Sequence, residues 1–278
     1  MKLDPLYIDE IIQNALREDM PYGDITTDNL LNDEYTTKAR LISKETGVIA
    51  GMDVAKRVFE LVDSNVEVKA LVQDGEKVKK GDIIAYISGK TASVLKAERT
   101  ALNLLQRMSG IATATSMYVE AVAGLTVRIV DTRKTVPGLR TLDKYAVVTG
   151  GGQNHRYGLS DAVLIKDNHI SAAGGIRNAI SIIRNKIPHT VKIEVETESF
   201  EQVEEAVAAK ADIIMLDNMN CEQMKKCVLF INGRALVEAS GNVTLLTVRE
   251  IAQTGVDIIS VGAITHSVKA LDISLRFE

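Results

Sequence analysis

Short apolar runs rich in β-branched residues recur at a nearly constant interval in the second half of the sequence. Four of them begin at Val191, Asp212, Ala235 and Asp257, so that successive starts lie 21, 23 and 22 residues apart. Segments with the apolar spacing of helices separate these runs. A strand and a helix alternating at this period predict a parallel β/α array, most simply a closed or nearly closed α/β barrel. An open doubly wound sheet is the alternative, but no GxGxxG sequence favours dinucleotide binding.

Polar or small residues stand at the end of every predicted strand, including two earlier runs that begin at Leu125 and Asp161. In α/β barrels the catalytic groups come from the C-terminal ends of the strands. A single polar ending is usually a solvated boundary, but six that converge on one rim indicate a site. The residues at these ends are Asp131, Arg133, Lys134, Lys166, Glu194, Glu196, Asp217, Glu238, Ser240 and Gly262.

The stretch from Asp131 to Ile170 concentrates basic residues near this rim. Because several of them directly follow apolar runs, we expect a shared site for an anionic substrate. The basic residues of the stretch are Arg133, Lys134, Arg140, Lys144, His155, Arg156, Lys166 and His169.

Glu194 and Glu196 alternate along one predicted strand, so both side chains should point to the same face. Glu196, the later residue, should stand nearer the rim, and Glu194 should lie deeper, close to Lys166. A buried carboxylate without a cation costs several kcal/mol. We therefore expect the inward glutamates and lysines to pair, with Glu194 in a structural role and Glu196 in a functional one.

The last two predicted strands lead into the small-residue loops ASGNVT and SVGAITHS. Backbone N–H groups in such loops, followed by a helix start, can hold a phosphate. Phosphate sites in α/β barrels are often built from the final strands. Together with the basic residues and the carboxylates, these loops predict a phosphorylated sugar and an acidic partner as ligands.

The first 122 residues follow a different pattern. Asp4 and Pro5 suit the start of a helix over residues 4–18, and residues 37–89 predict a small α+β domain. A hairpin, DGEKVKKGDIIAYISG, looks like those of biotinyl and lipoyl carrier domains, but without a modification motif a structural role is favoured. Residues 91–122 predict helix with a break at Ser109 and Gly110, which would link two domains.

The composition excludes several classes of function. The formal net charge of −4 argues against a nucleic-acid partner. No apolar run approaches the roughly 18 residues of a membrane span, and MKLDPLYIDE lacks the pattern of a signal peptide, so we expect a cytoplasmic protein without a membrane partner. Cys221 and Cys227 lie six residues apart with no histidine nearby, so we expect them to be inert rather than ligands of a metal.

Specific motifs then indicate a family. DTRKT, GGGQNHRYGLSD and IKDNH stand in this order, and EDMPYGDITT, AERTALNLLQRMSGIAT, KIEVE, MLDNM, EASGNVT and SVGAITHS extend the pattern almost from end to end. The chain closely resembles the quinolinate phosphoribosyltransferase family, the type II phosphoribosyltransferases of NAD biosynthesis. No functional position of the motifs departs from the family pattern.

The resemblance implies a fold and an assembly. Residues 1–110 would form an N-terminal α+β open-faced sandwich domain, on which a tail of residues 266–278 packs back. Residues 111–265 would form the catalytic domain, an incomplete α/β barrel of the TIM type. A homodimer with shared active sites is implied, in which Arg99 crosses into the neighbouring site, and a larger oligomer stays open.

The resemblance also implies the reaction. Quinolinate and 5-phosphoribosyl-1-pyrophosphate would give nicotinate mononucleotide, pyrophosphate and CO2, with Mg2+ as cofactor. The catalytic residues would be Lys134, Lys166, Glu196 and Asp217, and the last two would also be candidate Mg2+ ligands. The substrates would contact Arg99, Thr132, Arg133, Lys134, His155, Arg156, Lys166, Glu196, Asp217, Ser240, Gly241, Asn242 and Gly262. Arg140, Lys144 and His169 become secondary.

Two other functions stay open at this point. A barrel aldolase could use Lys166 as a Schiff-base amine, although the surrounding charges suit a neutral amine poorly. A non-catalytic homologue, like the relatives associated with molybdenum transport, could bind ligands only. Such a chain would be free to lose reactive residues, whereas this sequence retains all of them.

Overall fold

Asp4 begins the first helix, as its sequence predicts. Its carboxylate accepts the N–H of Leu6, and Pro5 occupies the first turn. The helix buries Ile8 and Ile12 on one face. The computed structural model describes residues 3–32 and 34–278. Within these ranges no helix combines the length and the apolar character that crossing a membrane requires.

Helices and strands follow one another along the described chain. The helices are α1 (Pro5–Asp19), α2 (Ile25–Leu30), α3 (Met52–Val62), α4 (Thr91–Ala121), α5 (Arg140–Thr149), α6 (Asp167–Ala173), α7 (Ile176–Arg184), α8 (Phe200–Ala208), α9 (Cys221–Ile231), α10 (Val248–Ala252) and α11 (Ala263–His266). The strands are β1 (Thr36–Ser43), β2 (Gly47–Val48), β3 (Glu67–Ala70), β4 (Lys77–Val78), β5 (Ile83–Lys90), β6 (Arg128–Val130), β7 (Val163–Ile165), β8 (Ile193–Thr197), β9 (Ile213–Asp217), β10 (Leu236–Ser240), β11 (Ile258–Ser260) and β12 (Ile273–Phe277).

Contacts within the chain divide it into two compact units. Unit 1 comprises Met1–Ser116, Thr135–Gly151 and Ile264–Glu278, and unit 2 comprises Met117–Lys134 and Gly152–Ala263. The division into domains at residue 110, drawn from the sequence, stays a prediction.

Unit 1 is built on an antiparallel sheet in the order β12, β1, β5, β3. The last strand of the chain pairs with the first, with Leu41 opposite Leu275. Alternate residues of β1, Ala39, Leu41 and Ser43, are buried, as expected of a strand with one covered face.

The hairpin predicted between residues 74 and 89 is wrong. Strand β4 pairs with β2 in a separate two-stranded sheet, whereas β5 pairs with β1 and β3. The turn itself is present, because Lys79 donates its N–H to the Asp82 carboxylate and accepts the N–H of Asp82. The turn residues therefore predicted a change of direction correctly, but not which strands would pair.

The predicted break at Ser109 and Gly110 is also wrong, because α4 runs through both residues. Ser109 is fully buried and bonds the backbone N–H of Ala50. A Cβ atom on Gly110 would lie well inside van der Waals contact with the carbonyl oxygen of Lys269. Gly110 is therefore small because another segment of unit 1 packs against the helix, and it does not end the helix.

Unit 2 contains a six-stranded sheet in the order β6, β11, β10, β9, β8, β7. All neighbours are parallel, with Ser240 opposite Asp217 and Glu196 opposite Met215. The six strands predicted from the repeat are confirmed, and β6 and β7 form the two edges of an incomplete barrel. Since the strands are parallel, their carboxyl ends meet at one edge of the sheet.

Candidate active site

The candidate residues fall almost entirely in unit 2. Arg99 is the exception, since it is exposed on the part of α4 that belongs to unit 1. Arg140 and Lys144, the secondary basic residues, also belong to unit 1, where Lys144 is fully buried. The candidates in unit 2 are Thr132, Arg133, Lys134, His155, Arg156, Lys166, Glu196, Asp217, Ser240, Gly241, Asn242 and Gly262.

Strand β6 supplies the first group. Thr132, Arg133 and Lys134 follow it directly, and the Lys134 N–H donates to Thr132 Oγ1 over 3.1 Å. Asp131, fully buried at the end of the strand, accepts the backbone N–H of His155 over 2.8 Å. This contact ties the loop that carries His155 to the carboxyl end of β6.

Arg156 brings a second guanidinium close to that of Arg133. It is half-buried, and its Nη1 donates to the carbonyl oxygen of Ala162 over 3.1 Å. Burial lowers the pKa of Arg156, and the positive charge of Arg133 lowers it further, whereas the carboxylates of Glu194 and Asp161 raise it. The half-buried Arg156 and the exposed Arg133 place two cations close enough to repel each other, which suits an anion with two negative charges.

Lys166 and Glu196 form an ion pair at the neighbouring strand ends. The Lys166 Nζ lies 2.7 Å from Glu196 Oε2, and the glutamate side chain is only 12% exposed. His169 accepts the backbone N–H of Lys166 on its Nδ1 over 3.0 Å, which fixes the start of α6. An inward glutamate and a lysine therefore pair, as expected, but the glutamate is Glu196 and not Glu194.

The predicted place of Glu194 beside Lys166 is wrong. Glu194 Oε2 lies 3.2 Å from His155 Nε2, and Glu238 Oε1 lies 3.6 Å from the same nitrogen. The alternation along β8 predicts the face of the strand on which Glu194 lies. It does not predict that His155, on a loop from elsewhere in the chain, is the residue that Glu194 contacts. Glu238, on β10 and so separated from β8 by one strand, had been noted only as a strand end.

Burial and the neighbouring charge of Glu194 raise the pKa of Glu238 from 4.5 to about 7, against opposing effects of His155, Ser260 and Arg128. The folded chain therefore holds this proton at pH values where the unfolded chain has released it. Stability from this group is fully present below pH 4.5 and is lost as the pH rises towards 7.

Glu238→Gln should remove this dependence on pH. The free energy of unfolding of the variant, relative to the unchanged protein, should rise by roughly 3 kcal/mol between pH 4.5 and 8. Urea titrations followed by circular dichroism at several pH values measure it. The exposed Glu222 provides the control, because Glu222→Gln should give a nearly constant difference. Equal pH profiles for both variants would contradict the prediction.

Asp217 is linked to the loop after β10 through Asn218, a residue that the sequence analysis missed. Asn218 donates Nδ2–H to Asp217 Oδ2 over 2.7 Å, and its Oδ1 accepts from Asn242 Nδ2 over 3.1 Å. Its backbone N–H donates to the carbonyl oxygen of Ser240 over 3.0 Å. Asn218 therefore joins a carboxylate on one strand end to the small-residue loop on the next.

The backbone of this loop requires particular residues. Gly241 has φ +91°, and a Cβ there would collide with the Asn218 side chain. Asn218 and Asn242 also adopt left-handed φ values of 54° and 50°, which asparagine tolerates better than most residues. The asparagine directly after Asp217 in MLDNM was the signal by which Asn218 could have been found. Gly262 follows β11 at the next strand end.

The arrangement offers three kinds of chemistry at the carboxyl edge of one parallel sheet. Arg133 and Arg156 can bind an anion, the Glu196 and Asp217 carboxylates can stabilise positive charge or bind hydroxyls, and the Gly241 loop can bind a phosphate.

Comparison with known proteins agrees with these features. The family model for the quinolinate phosphoribosyl transferase C-terminal domain matches residues 111–276, and that for the N-terminal domain matches residues 24–109. A relative from Synechocystis sp., named a probable nicotinate-nucleotide pyrophosphorylase (carboxylating), is 46% identical over 274 residues, covering 98% of this chain and 92% of the relative. A relative of the same name from Bacillus subtilis is 43% identical over 270 residues, covering 97% and 93%.

A solved structure supports the same assignment. The crystal structure of NadC from Streptococcus pyogenes superposes with a TM-score of 0.96 at 43% identity, covering 100% of this chain and 99% of that one. Both family models match, and at least 92% of each of these relatives is covered. The chain belongs to the quinolinate phosphoribosyltransferase family.

Proposed function

We propose that this protein transfers the phosphoribosyl group of 5-phosphoribosyl-1-pyrophosphate to quinolinate with decarboxylation. The products are nicotinate mononucleotide, pyrophosphate and CO2. The observation that carries the proposal is the half-buried position of Arg156 close to Arg133, where each guanidinium opposes the charge of the other. Quinolinate has two adjacent carboxylates, which match two guanidinium groups in charge. Family models that match residues 24–109 and 111–276 support the same reaction.

The carboxylates suit the transfer step. As the pyridine nitrogen attacks C1 of the ribose and pyrophosphate leaves, positive charge develops on the sugar. Glu196 and Asp217 stabilise that charge and bind ribose hydroxyls. Lys166, 2.7 Å from Glu196, orients this carboxylate, and Lys134 and Thr132 contact substrate at the end of β6. Loss of CO2 from C2 becomes easier once the ring nitrogen is quaternary.

The loops after β10 and β11 hold the 5-phosphate in this proposal. Ser240, Gly241, Asn242 and Gly262 present backbone N–H groups and small or polar side chains. The left-handed φ of Gly241 supports such a role, because it leaves the backbone open to close approach by a ligand.

Mg2+ is part of the proposal as a cofactor. Glu196 and Asp217 offer carboxylate oxygens, the ligand type that Mg2+ takes, and two carboxylates suit an ion bound mainly through phosphate oxygens of the substrate. When bound, Mg2+ neutralises charge on the pyrophosphate leaving group.

A homodimer with shared active sites is a further part of the proposal. Arg99 is exposed and belongs to unit 1, whereas the other candidates belong to unit 2, and a site completed by a second copy would explain its role. Purified heterodimers of an Arg99→Ala subunit and an Asp217→Ala subunit should have about half the activity of the unchanged dimer, since one of two sites would be complete. Complete inactivity of purified heterodimers would contradict sharing.

A cytoplasmic location is also part of the proposal, and cell fractionation tests that location.

The direct test uses quinolinate labelled at its 2-carboxylate, 5-phosphoribosyl-1-pyrophosphate and Mg2+. Release of labelled CO2 together with nicotinate mononucleotide is expected, and nicotinate in place of quinolinate should give little product. No turnover would favour a non-catalytic homologue, and equal turnover of nicotinate would refute the substrate. An aldolase is disfavoured because Lys166 is paired with a carboxylate, and borohydride trapping of a carbonyl substrate on Lys166 would revive it.

Asn218→Ala should raise the KM for 5-phosphoribosyl-1-pyrophosphate roughly tenfold while changing the KM for quinolinate much less. The variant loses hydrogen bonds to Asp217 and Asn242, and one bond to a charged group contributes about 1.5 to 3 kcal/mol. Steady-state kinetics with each substrate varied in turn measure both constants. Asn232, exposed with φ 46° at the end of α9, is the control for backbone strain. If Asn232→Ala raised the same KM equally, the assigned role of Asn218 would be wrong.

A further inference from the structure

Both ring nitrogens of His155 are engaged within unit 2. Nδ1 accepts the backbone N–H of Arg156 over 2.7 Å, and Nε2 faces Glu194 Oε2 at 3.2 Å and Glu238 Oε1 at 3.6 Å. A neutral imidazole carries one N–H, and the nitrogen that accepts a hydrogen bond cannot hold it. The proton of His155 is therefore assigned to Nε2, where Glu194 Oε2 at 3.2 Å can accept it, whereas Glu238 Oε1 at 3.6 Å lies beyond hydrogen-bond distance.

The two carboxylates that face His155 Nε2, those of Glu194 and Glu238, are deeply buried. Their side chains are 5% and 2% exposed, and Glu194 Oε1 and Glu238 Oε1 have no hydrogen-bond partner among residues 3–32 and 34–278. Two buried negative charges side by side are costly, whereas one proton held between them reduces the cost. The raised pKa of Glu238 agrees with such a proton at neutral pH. The groups facing Glu238 are Glu194, His155, Ser260 and Arg128.

We propose that His155 is a positioning residue. As a neutral imidazole with its proton on Nε2, it faces the buried carboxylates with that nitrogen and holds the Arg156 backbone with Nδ1, so that Arg156 is fixed next to the substrate site. This inference rests on the proposed function and changes one expectation of it, since His155 would not present a charged nitrogen to the substrate. The buried Glu194 carboxylate also attracts the Arg156 guanidinium. This attraction compensates for part of the repulsion between Arg156 and Arg133.

The segment that carries Arg156 is held at three points. His155 donates its backbone N–H to Asp131, Arg156 donates its backbone N–H to the imidazole, and the guanidinium donates to Ala162. Removing the imidazole removes the middle point. The guanidinium would then lose its orientation, and bidentate recognition of a carboxylate depends on orientation.

A metal ion is the competing explanation for this cluster. His155, Glu194 and Glu238 have potential ligand atoms within 4.8 Å of one another. A metal bound at Nε2 would require the imidazole proton on Nδ1, where it would meet the N–H of Arg156. The hydrogen bond to Arg156 therefore favours a proton at Nε2.

Nitrogen NMR of the full-length protein tests the tautomer directly. The chain has four histidines, so long-range 15N–1H spectra of protein labelled at histidine should resolve each one. His155 should give the neutral Nε2–H pattern from about pH 6 to 8, with and without quinolinate. An imidazolium pattern near neutral pH, or a proton on Nδ1, would overturn the proposal. Activity plays no part in this readout, so failure of the proposed reaction would be seen separately.

The signal of His155 can be assigned in two ways. His155→Gln removes it directly. If that variant does not fold, glutamine substitutions at the three exposed histidines, His169, His189 and His266, identify it by elimination. Addition of Zn2+ or Mn2+ to the unchanged protein should leave the His155 pattern in place, whereas its loss would support the metal explanation.

Kinetics distinguish positioning from charge. Glutamine offers a donor and an acceptor but no positive charge, so His155→Gln should change the KM for quinolinate less than about tenfold, whereas His155→Ala should raise it by roughly 10- to 100-fold. The KM for 5-phosphoribosyl-1-pyrophosphate should change little in either variant. If glutamine and alanine raised the KM for quinolinate equally, a charge role for His155 would be supported and the positioning role refuted.

Discussion

Arg156→Ala is expected to weaken quinolinate binding by roughly 2 to 5 kcal/mol, as truncation of one buried charge partner does. This corresponds to an increase of about 30- to 4,000-fold in the dissociation constant. The physical reason is the half-buried position of Arg156, whose guanidinium is fixed by Ala162 and lies close to Arg133. Isothermal titration of quinolinate into the protein measures the change.

Two variants make this measurement specific. Arg156→Lys keeps the charge but loses the planar fork, so an intermediate loss of affinity is expected. Arg177 is exposed on α7, and Arg177→Ala should leave the affinity unchanged. Circular dichroism of each variant checks that it is folded. Affinity of the Arg156→Ala protein within about twofold of the unchanged protein would show that the guanidinium does not contact quinolinate.

The parallel sheet of unit 2 was predictable because its signal is local and repeated. Each strand is an apolar run such as Ile213–Asp217, and each is buried by helices whose apolar residues recur at helical spacing. The polar residues that end the strands are then brought to one edge by the parallel topology alone. The strands and the edge that carries the site therefore follow from the sequence without knowledge of tertiary contacts.

The errors share one physical cause, which is contact between residues far apart in sequence. Gly110 resembled a helix break, but its size is required by the carbonyl of Lys269. The segments around Lys79 and Asp82 resembled a hairpin, but β4 and β5 pair with different partners. Local propensity predicts that a turn or a small residue is needed at these positions. Tertiary packing determines which strands the turn connects and whether the glycine ends a helix or lies within it.

The same distinction applies to the site. That Lys166 would pair with a glutamate of β8 was predictable, because both stand near the ends of strands that would be neighbours in a barrel, but the sequence favoured Glu194 over Glu196 as the partner. The partner of Glu194 was not, because His155 arrives on a loop whose path no periodic pattern describes. Alternation along a strand predicts which face a side chain occupies, and only the folded chain shows what shares that face.

Asp143→Ala is expected to cost roughly 3 to 5 kcal/mol of stability, since it breaks a buried ion pair. The Asp143 side chain is fully buried in unit 1 and accepts from Arg107 Nε at 2.8 Å and Nη2 at 2.7 Å. It also accepts the backbone N–H of Val136 over 3.3 Å. Alanine would leave the guanidinium without its carboxylate in a position only 24% exposed, and the midpoint of thermal unfolding should fall by roughly 6 to 20 °C.

Asp9 provides a control with the same bidentate geometry but greater exposure. It accepts from Arg57 Nε and Nη2 at 2.8 Å each, with the two side chains 25% and 39% exposed, and Glu60 remains as a second partner for Arg57. Asp9→Ala should therefore cost about 1 kcal/mol or less. The double variant Arg107→Met with Asp143→Leu should recover part of the loss, because an apolar pair leaves no unpaired charge. Equal losses for Asp143→Ala and Asp9→Ala in calorimetry would show that burial of the Arg107 pair does not determine its contribution.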